Sequence, residues 1–367
     1  MICCDGTNNS LRGTPTNVAQ MSRLADIGDP SAQSVYYDAG VGVEKLPNLH
    51  TRIGGRISQW FGSAFGTGLV ENVEQAYRHL VQNYDTGDQV YLFGFSRGAY
   101  TVRVIAGLLG NYGLLKKENE PLIHSVIKQY RALFPDDDHR DAAEDRKEAR
   151  DARFAAAREV RQQHAVVFPI QFMGLFDTVS SLGWAWDPKS FPNTSYMPNV
   201  RCVRHALAID ERRAKFRTNR VKAAPGCELI QLWFAGVHSD VGGGYKPPNN
   251  RLSRIPLHWM LAEARKAGIR VNDIAERLLN LDATRLSDEQ EPQNESLDSF
   301  WNALEFMPLP HWDKTEDGWV KSWKTYRREG WRRIDGDIVA HGSLRRRGTP
   351  VKNIYWPLSL PSMTFVE

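Results

Sequence analysis

The chain has 367 residues, 41% of them hydrophobic and 25% charged, a globular composition that excludes wholesale disorder and allows one large domain or two ordinary ones. No apolar run approaches the roughly 20 residues that span a bilayer, and the four cysteines lack the number or spacing of a disulfide framework or a zinc site, so a reducing compartment is expected. The net charge of +4 is uneven, because 321–347 holds nine Lys/Arg against Glu329, Asp335 and Asp337; with no recognisable binding module, that excludes a dedicated nucleic-acid binder.

The opening Met1-Ile2-Cys3-Cys4-Asp5-Gly6 has neither the basic flank nor the long apolar region of a secretory signal. Synthesis in the cytoplasm is expected, with any export by a route that needs no signal peptide. The chain also starts abruptly on strand-like residues, as though part of a first strand preceded them. Short apolar runs then alternate with helical patterns, which predicts strands joined by helical crossovers, an α/β arrangement. Strands are expected at 2–4, 34–37, 89–93, 166–175 and 229–235. Leu69, Val73, Ala76, Tyr77, Leu80, Val81 and Tyr84 recur at three- and four-residue steps and predict an amphipathic helix. Further helices are expected at 97–109, stopped by Gly110-Asn111, and at 203–216 and 256–267. The 136–164 stretch carries nine acidic and seven basic side chains on an Ala-rich background without Gly or Pro. It reads as an exposed, ion-paired helical insertion. From 287 to 367 the pattern is irregular and Trp-rich, a C-terminal lobe expected to pack on a 1–286 catalytic domain.

The strongest chemical signal is Gly94-Phe95-Ser96-Arg97-Gly98, with an apolar strand before it and a helix pattern after it. That context makes G-x-S-x-G the sharp strand-to-helix turn of an α/β-hydrolase-like, mostly parallel sheet with helices on both faces. Ser96 is the expected nucleophile, strained and exposed. The Arg97 backbone N–H, at the helix N-terminus, is an expected oxyanion donor. The opening Asp5-Gly6-Thr7 follows the first strand and could complete the oxyanion hole through Gly6 or Thr7. It also has the look of the D-x-D-G-T start of haloacid-dehalogenase-type phosphatases, but Cys3 stands where the nucleophilic aspartate would be, so that reading lacks its central residue.

A serine needs a base, and the base a third group to orient it, in the chain order Ser, Asp/Glu, His. Asp177 closes the apolar strand expected before it. His50, His79, His124, His139 and His164 come too early in that order. His205 and His258 lie inside helix patterns, and His311 lies in a Pro/Trp-rich loop. His238 ends an apolar strand and opens onto Ser239-Asp240-Val241-Gly242-Gly243-Gly244, where glycines allow close approach. It is the preferred base. His341 is the alternative, with Asp240 as the carboxylate to test beside it.

These pieces, together with Tyr37-Asp38-Ala39-Gly40-Val41-Gly42, Gly66-Thr67-Gly68-Leu69, Phe176-Asp177-Thr178-Val179, His205-Ala206-Leu207-Ala208-Ile209-Asp210-Glu211 and Phe234-Ala235-Gly236-Val237-His238-Ser239-Asp240, resemble in their order an α/β-hydrolase family of uncharacterised domains that includes phospholipase effectors of bacterial type VI secretion. The resemblance runs from about 1 to 261, more weakly near His341 and 355–361. The charged 136–164 helix is not part of the pattern. The resemblance implies esterase or phospholipase A chemistry, with Ser96 as nucleophile, Asp177 as the aspartate and His238 as the histidine.

The expected activity is therefore hydrolysis of carboxylic esters, of phospholipids or other acyl lipids, through a Ser-Asp-His triad with no cofactor and no metal. The rival is a non-catalytic binding protein that keeps the hydrolase fold. Trp301, Trp312, Trp319, Trp323, Trp331 and Trp356 cluster in and around the basic 321–347 stretch. That combination suits peripheral contact with an anionic lipid surface, or else packing of the lobe on the core.

Overall fold

The computed structural model describes residues 1–6, 13–40, 64–133, 143–179, 191, 194–213, 216, 218–279, 291–297, 301, 306, 309–315, 318–324, 338–343 and 363–366. The first half runs β1 (Ile2–Cys4), α1 (Asn17–Leu24), β2 (Tyr36–Asp38), α2 (Ala64–Asn83), β3 (Tyr91–Phe95), α3 (Arg97–Tyr112), β4 (Leu114–Leu115), a 3-10 turn (Lys117–Leu122), α4 (Ile123–Arg131) and α5 (Ala143–His164). There follow β5 (Ala165–Val166), β6 (Ile170–Phe176), β7 (Val200–Ala208), β8 (Glu228–Phe234), α6 (His238–Gly242), α7 (Arg254–Lys266) and α8 (Asp273–Leu279). Last come β9 (Leu309–Thr315), β10 (Gly318–Lys324), β11 (Ile338–His341) and β12 (Met363–Val366).

Eight strands make one sheet in the order β12-β11-β8-β7-β6-β3-β1-β2, and every neighbouring pair is parallel. Parallel neighbours need crossovers, and these put helices on both faces. The two faces can be read off β3. Val90 and Leu92 join the core formed with α2, α3 and α4, while Tyr91, Phe93 and Phe95 join the core formed with α1 and α7. The strand period of two thus feeds two apolar cores. All eight strands point their C-terminal ends to one edge, where ligands bind in open parallel sheets. β9 and β10 pair separately as an antiparallel hairpin, and β4 pairs with β5. Strands β11 and β12, from the stretch expected to form a lobe, complete the main sheet.

Two expected elements differ. The helix expected at 203–216 is strand β7. Its apolar residues lose their alternation because β7 is central and covered on both faces, from Val203 through Ala208. Its two polar residues are buried with partners. Arg204 meets Glu263 at 2.5 Å, and His205 accepts from the Thr178 backbone N–H at 3.2 Å. The strand expected at 166–175 is two strands, divided at Pro169, which has no N–H to give a ladder.

The charged helix α5 is not exposed all round. Ala157 is buried, and Phe154 and Val160 pack on the core beside it. Arg161 donates to the Gly110 carbonyl at 3.0 Å, near the C-terminal end of α3. Gly110 is thirteen residues beyond Arg97, so this contact lies roughly 20 Å along α3 from its N-terminus. Of the aromatic cluster, Trp301 is buried, whereas Trp331, Trp356 and Arg345–Arg347 lie outside the described residues.

Candidate active site

Ser96 stands between β3 and α3 with φ 57° and ψ −120°. A residue with a Cβ pays about 1–3 kcal/mol for such a backbone, and strain of this kind clusters at functional turns. The surrounding backbone holds it there. The Ser96 N–H donates to the Phe176 carbonyl at 3.0 Å, and the Ser96 carbonyl accepts from Tyr100 at 3.4 Å as α3 begins. Close approach demands both motif glycines. A Cβ on Gly94 would lie 2.4 Å from the Ala99 Cα, and one on Gly98 would lie 2.0 Å from the Cys4 carbonyl oxygen. Gly98→Ala should accordingly cost about 2 kcal/mol or more, read as a lowered urea midpoint, because neither backbone can move without opening β1 from α3.

The expected exposure of Ser96 is not found: it is 5% exposed. Arg97 is the first residue of α3, where backbone N–H groups point out of the helix N-terminus. Burial pushes its guanidinium down to about 9.

Asp177 follows β6 just as Ser96 follows β3, and Phe95 and Phe176 are register partners. The two residues therefore sit side by side at the same sheet edge. Asp177 has φ 39°, a left-handed conformation that Asp tolerates better than most residues. Its N–H donates to the Ala206 carbonyl at 2.7 Å, and its Oδ1 accepts from the Ala208 N–H at 3.0 Å. Its Oδ2 faces His238 Nδ1 at 2.6 Å, a charge-assisted distance. With Nδ1 donating to the carboxylate, the neutral ring keeps its lone pair on Nε2. Phe95, next to Ser96, lies 4.6 Å from the His238 ring, and Phe216 meets the ring edge-on at 4.9 Å. Burial pushes the imidazole below its ordinary 6.5, against the raising effects of the Asp177 hydrogen bond and charge.

Other expected residues fall elsewhere. The Gly6 N–H donates to Asp5 Oδ1 at 2.6 Å. Thr7 lies outside the described residues. Asp5 also accepts from Thr16 Oγ1 at 2.5 Å and Tyr37 Oη at 2.7 Å. Its carboxylate is a joint tying the end of β1 to α1 and β2. His341 ends β11, stacks on Phe234 at 4.9 Å and has its Nδ1 2.9 Å from Ser343 Oγ. Asp240 accepts from the Val237 N–H at 3.0 Å and from Asn294 Nδ2 at 2.6 Å, capping α6. It is Asp177, not Asp240, that the structure puts on His238 Nδ1.

Two residues in the site are given no role by the sequence reading, although Glu211 closes one of the motifs that carry the resemblance. Glu211 Oε2 accepts from the His238 backbone N–H at 3.1 Å, and Glu211 forms a buried pair with Arg213 at 2.8 and 2.9 Å. Beyond that motif, the pair's sequence signal is an acid two residues before a base after an apolar stretch, a pattern shared with countless solvated loops. Among the described residues no group of three His, Cys, Asp or Glu side chains is placed to hold a metal ion.

Residues 1–263 match the model of a family described as type VI secretion system phospholipase effector Tle1-like, catalytic domain. An uncharacterized protein of Saccharomyces cerevisiae, YEL023C, is 32% identical over 222 residues, 59% of this chain and 32% of the yeast protein. Among solved structures, an uncharacterized protein from Pseudomonas aeruginosa is 20% identical with a TM-score of 0.39, covering 74% of this chain and 46% of that one. The Tle1 effector bound to the VgrG spike of the type 6 secretion system is 15% identical with a TM-score of 0.43, covering 82% of this chain and 81% of that one. The chain thus spans about a third of the yeast relative and under half of the Pseudomonas chain.

Proposed function

The chain belongs to the family of Tle1-like phospholipase effector catalytic domains of type VI secretion, and on that footing we propose that it is a serine hydrolase that cleaves acyl esters of phospholipids. The single observation that supports the chemistry is the 2.6 Å contact between His238 Nδ1 and Asp177 at the sheet edge that also carries the strained Ser96.

In this reading His238 Nε2 takes the Ser96 proton as Oγ attacks the acyl carbonyl. Asp177 fixes the tautomer and stabilises the imidazolium without itself taking the proton. The Arg97 N–H, at the start of α3, meets the developing oxyanion, where one donor is worth about 2.7–4 kcal/mol. The imidazolium returns its proton to the leaving alcohol, and water, deprotonated by the same ring, releases the fatty acid from the acyl-enzyme. The contact partner is a lipid surface, reached peripherally through the basic, Trp-rich C-terminal stretch.

Phospholipid vesicles incubated with the protein should release free fatty acid, and an active-site-directed fluorophosphonate should label Ser96. Folded protein that does neither is the binding protein of the rival reading. Vesicle hydrolysis should rise with anionic lipid and fall as salt is raised from about 50 to about 500 mM, which shortens the Debye length from roughly 14 to 4 Å. Replacing Arg345, Arg346 and Arg347 by Gln should reduce it while sparing soluble esters; equal rates on neutral and anionic vesicles would remove the lipid-docking role.

A further inference from the structure

The site is held together from beyond the family-matched region. Residues 294–297 and Trp301 lie past the match that ends at 263, yet they bond to and pack on the residues around His238 at several points. Asn294 donates from its backbone N–H at 3.1 Å and from Nδ2 at 2.6 Å to Asp240, two residues after His238. Ser296 Oγ donates at 3.0 Å to Glu211 Oε1, while Glu211 Oε2 holds the His238 N–H. Trp301 meets Phe216 edge-on at 5.4 Å, and Phe216 in turn meets the His238 ring. The Arg213 guanidinium lies 3.5 Å over Phe216 and 5.1 Å from the Trp301 ring, so it joins the ion pair to the aromatic cluster.

The same cluster reaches the other side of the dyad. Val179, two residues after Asp177, is buried in one cluster with Phe216 and Trp301, and Leu297 packs against that cluster. Residues 294–297 and Trp301 therefore brace the acid loop through Val179, the base through Phe216, and the backbone of the base through Glu211.

We propose that residues 294–297 together with Trp301 are a positioning brace that fixes the His238 ring and the Asp177 loop relative to Ser96, through Ser296 on Glu211 and Trp301 on Phe216. It rests on the reading of His238 as general base. Catalytic groups need placement to within a fraction of an ångström, and misplacement by about 1 Å can cost about a hundredfold in rate. A brace that adds no contact to substrate should therefore show in kcat and leave KM alone.

The test uses the full chain and a soluble p-nitrophenyl ester. Ser296→Ala should lower kcat about tenfold with KM within about twofold. Trp301→Ala should lower it further, and Trp301→Phe should restore most of the loss, since a smaller ring keeps an edge on Phe216. Glu211→Gln adds a readout that mere loss of packing would not move. The charged groups facing His238 are Asp177, Glu211 and Arg213, while Asp240, on its own helix, is held by Val237 and Asn294. Glu211 favours the protonated ring, so its neutralisation should move the acid limb of kcat/KM to lower pH. Wild-type kcat in both Ser296→Ala and Trp301→Ala overturns the brace, as does a loss confined to KM. If Trp301→Ala fails to fold, Ser296→Ala and Trp301→Phe decide the matter by the same criteria. A wild-type protein that neither labels with fluorophosphonate nor turns over ester overturns the hydrolase reading itself, a result distinct from active wild type with unaffected variants.

Discussion

Ser96→Ala should abolish ester hydrolysis by at least about a thousandfold in kcat and remove fluorophosphonate labelling, with little change in fold. The expectation follows from the turn. Its φ of 57° and the Phe176 hydrogen bond hold the residue whatever its side chain carries, so deleting one oxygen leaves the backbone where it was. What disappears is the atom that accepts the acyl group in the proposed mechanism. A hydrolase retaining more than about a tenth of the wild-type rate in Ser96→Ala would move the nucleophile elsewhere. The backbone strain supplies an internal control. Ser96→Gly removes the same oxygen and also the Cβ that the left-handed conformation disfavours, so it should be the more stable of the two inactive variants, by about 1 kcal/mol. Urea midpoints of the pair measure this directly, and Ser96→Ala proving the more stable would show that the turn is not strained in solution.

Much of the architecture follows from local punctuation in the chain. Gly94-Phe95-Ser96-Arg97-Gly98 is readable because one strand and one helix meet there with no room for side chains, and the required glycines are adjacent in sequence. Asp177 and His238 are readable as ends of apolar strands, since a parallel sheet sends all such ends to one edge. β7 is different. In Val203-Arg204-His205-Ala206-Leu207-Ala208 the polar residues look like the wet side of a helix, and only long-range partners such as Glu263 and Gln231 make them residents of a buried strand. The roles of Glu211 and Arg213 are not legible for the same reason, although Glu211 closes a motif of the resemblance. A charge is solvated or buried according to what the rest of the chain lays over it, and what lies over these two includes Ser296 and Trp301, some ninety residues away. The Asp5-Gly6-Thr7 opening is the reverse case. There Thr16 and Tyr37 arrive to use the Asp5 carboxylate, a structural role that the motif does not show.

His238→Ala and Asp177→Asn should each reduce kcat about as severely as Ser96→Ala to within one or two orders of magnitude, and combining them should add little, since the three act as a unit. The pH dependence separates their roles. Burial holds the His238 ring below its ordinary 6.5, so the neutral base persists below that pH and the acid limb of kcat/KM should lie on the acid side of 6.5. Asp177 acts in the opposite direction, through both its hydrogen bond and its charge. Asp177→Asn should therefore move the limb to still lower pH while it lowers the rate, because Asn no longer accepts the Nδ1 proton as a carboxylate does. Stability carries the matching sign. A ring with a depressed folded-state value binds fewer protons than the unfolded chain, so its contribution is complete above 6.5 and declines as pH falls from there toward the folded value. Urea titrations from pH 7.5 to about 5 should show that decline in the wild type and less of it in His238→Ala. His341→Ala should leave both the rate and the acid limb near wild type, since its Nδ1 is turned to Ser343. If His341→Ala proves the more damaging of the two histidine variants and His238→Ala leaves the acid limb in place, the base is His341, and the 2.6 Å contact with Asp177 is a structural ion pair.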